Sequence, residues 1–99
     1  MIILGIDPGI AIVGYGVIEY TGNKFRVLDY NAVITPKEDP LALRLKAIYE
    51  QIGSVIDTYK PDYVSIEELF YNNNIISVEI VLILLNQLQI ENWYLVISF

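Results

Sequence analysis

Neither cysteine nor histidine occurs among the 99 residues. Without cysteine there are no disulfides and no thiolate metal sites. Without histidine, imidazole catalysis, Ser-His triads and histidine-ligated zinc are excluded. A metal held by side chains here must sit on oxygen, which selects a hard cation such as Mg2+ or Mn2+. Positive charge is scarce as well: six Lys and Arg face twelve Asp and Glu, a net charge of −6. Phosphate neutralisation supplies most nucleic-acid affinity and leaves a basic footprint, so composition alone argues against a DNA partner. Long apolar runs are missing too. The longest, Ile80 to Leu85, falls far short of the ~20 residues that span a bilayer. The opening Met1-Ile2-Ile3-Leu4 lacks the basic segment of a signal peptide, so a cytoplasmic chain with no membrane partner is expected.

What remains is an apolar chain, 55% hydrophobic, sized for one domain. Ile2 to Asp7 reads as a buried strand that ends in a carboxylate and the turn residues Pro8-Gly9. Gly14 to Tyr20 and Lys24 to Thr35 read as two strands joined by Thr21-Gly22-Asn23, a hairpin turn. Asp39 as N-cap and Pro40 at the first helical position start a helix. Its apolar stripe is Leu41, Leu45, Ile48, Ile52, Val55, Ile56 and Tyr59. Lys60-Pro61-Asp62 ends it, Tyr63 to Glu67 forms a fourth strand, and Leu69 to Asn74 a loop. Ile75 to Ile90 reads as a second helix with no clean polar face, followed by a fifth strand from Asn92 or Trp93 to Phe99. A hairpin followed by right-handed crossovers is an α/β layered fold.

Two acidic positions carry the chemistry. Asp7 stands at the C-terminal end of the first strand, and Asp-Pro-Gly also serves as ordinary turn punctuation. Gly14 and Gly16 open the next strand, where glycine permits a bulge or close backbone approach. This combination occurs in metal-dependent nucleases of the RNase H type and in sugar-kinase and actin-like ATPases, where the loop handles phosphate. Glu67 and Glu68 close the fourth strand. In a sheet ordered 3-2-1-4-5, strands one and four are neighbours, bringing Asp7 beside Glu67. Two close carboxylates repel unless a proton or a cation lies between them, and magnesium there activates water and stabilises a leaving oxygen. Solvated acids at a strand end are the plainer alternative for Glu67 and Glu68.

Ile3-Leu4-Gly5-Ile6-Asp7-Pro8-Gly9 and Gly14-Tyr15-Gly16-Val17-Ile18 resemble the first two strands of the RuvC family of Holliday-junction resolvases. Arg44-Leu45-Lys46 with Ile48-Tyr49 resembles that family's first helix. Lys60-Pro61-Asp62-Tyr63 with Ile66-Glu67 and Phe70 resembles its fourth strand and following loop. The resemblance implies an RNase H-like fold, a mixed five-stranded sheet of order 3-2-1-4-5 with helices. It implies a Mg2+-dependent (or Mn2+-dependent) endonuclease that resolves four-way junction DNA in recombination and repair. Asp7 and Glu67 become catalytic, metal-holding acids, while Glu68 falls at a variable position. Phe70 and Asn74 become DNA-contact candidates, although Phe70 also suits a loop aromatic packed on the core. A homodimer and the branch-migration proteins RuvA and RuvB are the implied partners.

The resemblance runs through residues 1–74 and lapses over 75–99. The expectation is one RNase H-like domain over 1–99, incomplete, with a truncated or frameshifted end and an inactive remnant as the alternative function. The family's two later acids have no counterpart: Glu79 and Glu91 match nothing in its pattern. Asn73 stands where members commonly carry Lys, which weakens phosphate contact. An actin-like ATPase would need a second phosphate loop and an adenosine motif, and neither is present.

Overall fold

The computed structural model describes residues 1–7, 11–69, 86 and 93–98. Its described elements run β1 (Ile2–Asp7), β2 (Ile12–Thr21), β3 (Lys24–Ile34), α1 (Leu41–Tyr59), β4 (Tyr63–Leu69) and β5 (Trp93–Ser98). They form one five-stranded sheet in the order β3-β2-β1-β4-β5. β1 pairs antiparallel with β2 and parallel with β4, and β4 pairs parallel with β5. The expected strand order is therefore the observed one. The second predicted helix lies outside the described residues except for residue 86, which is helical and exposed.

Strand alternation decides what the sheet buries. Leu4 and Ile6 of β1, Val13 and Val17 of β2, Val33 of β3, and Val64 and Ile66 of β4 point to one face. Ile48, Ile52 and Val55 of α1 complete that core. Leu4, Val17 and Ile66 have no exposed surface, and burying each stabilises the fold by about 1.5–3 kcal/mol. Leu41, expected as the first member of the helix stripe, is instead 52% exposed, and the buried part of the stripe is Ile48, Ile52 and Val55.

The hairpin turn of β2 and β3 has the predicted chemistry. Gly22 and Asn23 adopt φ of 58° and 62° between the paired Thr21 and Lys24, as the tight turns that match strand twist require. Several details differ from expectation, among them the start of β2 at Ile12 and the end of β3 at Ile34. Pro40, with ψ 147°, occupies the N-cap and no side chain caps the helix. Its carbonyl accepts from the N–H groups of Leu43 and Arg44, while Asp39 belongs to the preceding turn through its N–H to Pro36 O. Further along, β4 continues to Leu69, because pairing with β5 holds Glu67, Glu68 and Leu69 extended. The irregularity in the hairpin lies between Val17 and Ile18, away from Gly14 and Gly16.

Candidate functional site

The C-terminal ends of β1 and β4 lie side by side. Their register is Ile3 with Tyr63, Leu4 with Val64, Gly5 with Ser65 and Ile6 with Ile66. Asp7 and Glu67 are the next residues on each strand, and neighbouring strands run ~4.8 Å apart. A clasp at the opposite end sets this register. The Ile2 N–H donates to Asp62 Oδ2 at 2.7 Å, and the Asp62 N–H donates to Ile2 O at 2.8 Å. The Lys60-Pro61-Asp62 segment thus both ends α1 and aligns β4 on β1.

Asp7 is exposed on the sheet face opposite α1, the face of Gly5 and Ser65. A shallow hollow of about 380 Å³ lies beside it, lined by Gly5, Gly14, Gly16, Tyr30 and Ser65 among others. Among the described residues no group of three or more His, Cys, Asp or Glu side chains is gathered to hold a metal. Phe70 and Asn74, the DNA-contact candidates, lie outside the described residues, as do Glu79 and Glu91.

Two polar arrangements escaped the sequence reading. Arg44 Nε donates to Thr35 Oγ1 at 2.9 Å, and Thr35 is itself buried. The Thr35 N–H bonds Ala11 O at 3.0 Å, so this guanidinium stands at the same sheet end as Asp7. On the helix side, Tyr15, Asp29 and Tyr59 line one hollow. Burial, then the Asp29 charge, raises both phenols above the ordinary tyrosine value. The only signal for either was the polar or aromatic residue set into an apolar pattern, which names no partner.

A mixed sheet of this order, with an acid ending its central strand, defines an RNase H-like protein. The comparisons narrow the class. The family model for "Crossover junction endodeoxyribonuclease RuvC" matches residues 3–88. A curated relative of that description from Alkaliphilus oremlandii is 57% identical over 75 residues, covering 76% of this chain and 46% of its own. The structure of Thermus thermophilus RuvC in complex with a Holliday junction substrate superposes with a TM-score of 0.84 at 28% identity. It covers 99% of this chain and 64% of that one. The Aquifex aeolicus PPX-GPPA enzyme superposes with a TM-score of 0.66 at 14% identity, covering 98% of this chain and 36% of its own, a likeness of fold alone. The chain belongs to the RuvC family of crossover junction endodeoxyribonucleases, and it spans less than half the length of the Alkaliphilus relative.

Proposed function

We propose that this chain supplies Asp7 and Glu67 to a Mg2+-dependent endonuclease site that cleaves four-way junction DNA. The carrying observation is the β1–β4 register, whose last pair is Ile6 with Ile66, so that Asp7 and Glu67 are the next residues on the two strands. Asp7 shares the strand parity of Gly5 and so falls on the open face, and Glu67 is the residue after Ile66 on the neighbouring strand. An all-oxygen pair suits a hard cation, and no histidine or cysteine competes for it. Bound there, Mg2+ supplies an activated water and a counter-charge for the leaving oxygen. Asp7 and Glu67 hold the ion; the Asp62 clasp keeps them level. Mn2+ substitutes in the same ligands, and the Thermus relative's junction complex supports the substrate.

A second reading concerns the chain by itself. Two carboxylates are few ligands for an ion that demands octahedral order and gives up water reluctantly, and a loosely held charge loses much of its effect on a transition state. A site resting on Asp7 and Glu67 alone would hold metal weakly and cut slowly unaided. Incubation of a labelled four-way junction with Mg2+ tests both readings. Fusing the C-terminal segment of the Alkaliphilus relative after residue 74 should produce cleavage that Asp7→Asn or Glu67→Gln abolishes. Cleavage that survives Asp7→Asn would reject the site; rapid cleavage by the unfused chain would reject the second reading. Phe70 and Asn74 as DNA contacts, a homodimer, the partners RuvA and RuvB, and a cytoplasmic setting all belong to this proposal.

A further inference from the structure

Among the described residues nothing in the fold calls for the three glycines beside Asp7. Glycine inside a strand costs stability and is retained where a bulge, a positive φ or a close approach requires it. No positive φ occurs at Gly5, Gly14 or Gly16; Gly22 is the one described glycine with that conformation. The bulge lies elsewhere, between Val17 and Ile18. Crowding is excluded as well, among the described residues. A Cβ at Gly16 would meet nothing within 4 Å, one at Gly14 would touch Asp7 Cβ at 3.7 Å, and one at Gly5 would touch Gly16 O at 3.9 Å. These are ordinary contacts or open space. Among the described residues, then, no contact within the chain requires these glycines, and the positions present bare backbone beside Asp7.

The positions cluster. Gly5 pairs with Gly16 and Asp7 with Gly14 across β1 and β2, so the three bare positions and the carboxylate share one patch of the open face. They line the hollow, with Tyr30, 79% exposed, as a further part of its lining. A volume of about 380 Å³ is near the lower end of the ~300–1,000 Å³ of small-molecule sites, enough for one nucleotide-sized group. An apolar protein surface seated here would have to desolvate the Asp7 carboxylate, which is costly without a partner. A phosphodiester strand meets the opposite situation, since a cation on Asp7 attracts phosphate and an aromatic face stacks sugar or base.

We propose that Gly5, Gly14 and Gly16 form the seat of a single deoxyribose-phosphate strand next to the bond being cut, kept free of Cβ atoms for the substrate. This rests on the nuclease reading of Asp7 and adds residues that position substrate. Thermal melting and fluorescence anisotropy with a labelled four-way junction in low-salt Mg2+ buffer test it on the 99-residue chain. Gly14→Ala and Gly16→Ala should melt at or above the parent temperature, yet bind the junction at least tenfold more weakly. Ala32→Ser, on the same face beyond the hollow, should bind as the parent does. Parent-like binding by both glycine variants would overturn the seat alone. Unchanged binding with altered sedimentation would also overturn it, in favour of a second copy of the chain as the occupant. A parent chain that binds no junction would overturn the seat alone; the nuclease reading falls with it only if the chain fused to the relative's C-terminal segment also binds none.

Discussion

Asp62 controls the alignment on which the acid pair depends, and its removal has a calculable cost. Its carboxylate accepts the Ile2 N–H at 2.7 Å, one residue before the first β1–β4 register pair, Ile3 with Tyr63. A hydrogen bond to a charged group contributes about 1.5–3 kcal/mol, and Asp62 is exposed, which favours the lower figure. Asp62→Ala should therefore cost about 1.5 kcal/mol. For a domain of this size each kcal/mol moves Tm by about 4–8 °C, so Tm should fall by about 6–12 °C. Asp62→Asn keeps a neutral acceptor oxygen, worth about 1 kcal/mol, and should lose less than half as much. Circular dichroism melts of the three proteins make the comparison, with urea denaturation as a check on ΔG. A Tm for Asp62→Ala within about 1 °C of the parent would refute the clasp, as would an Asn variant equal to the Ala variant.

Other expectations follow from the packing and from the phenols. Leu4→Ala, at a position with no exposed surface, should cost about 2–5 kcal/mol of a total near 5–15 kcal/mol. A shift of the urea midpoint worth under 1 kcal/mol would place Leu4 outside the core. Because Tyr15 and Tyr59 have raised pKa values in the fold, the stability they confer is complete below about pH 10 and is lost as pH rises through their folded values. Tyr59→Phe should flatten that alkaline decline, and an unchanged profile would count against the Asp29 pairing. On the face opposite α1, Ile12, Phe25, Val27, Tyr30 and Ile34 are 57–79% exposed, and apolar patches of this kind drive association. Sedimentation at high concentration should show self-association that Val27→Lys and Ile34→Lys reduce; a parent that stays monomeric would contradict this.

Much of this architecture was legible because alternation and helical spacing are local signals. Leu4 and Ile6 flanking Gly5 announce a strand buried on one side, and Ile48, Ile52 and Val55 announce the helix that covers it. Gly22-Asn23 names its own turn. The strand order came with the resemblance to the RuvC family, since the element order by itself gave only an α/β layered fold. Boundaries were harder wherever a distant partner decides them. Nothing near Glu67 foretells that Val96 pairs with it and carries β4 on to Leu69, and Pro40 was placed one position too far into the helix because Asp39 looked like a cap. Asp7 and Glu67 stood out as candidates because each is an acid that follows a largely apolar stretch. The Asp62 clasp, the Arg44–Thr35 bond and the Tyr15–Asp29–Tyr59 cluster join residues 9 to 60 positions apart, and pairing at that distance leaves no local trace.

The central claim is that Asp7 and Glu67 share one divalent cation at the end of the sheet. A crystal structure of the 99-residue chain grown with Mn2+ tests it directly, since anomalous scattering locates the ion independently of the side chains. The account predicts one manganese in direct contact with carboxylate oxygens of both residues, and its loss in Asp7→Asn crystals grown identically. Carboxylates on opposite faces of the sheet, or a manganese bound elsewhere with Asp7 and Glu67 both unliganded, would contradict it.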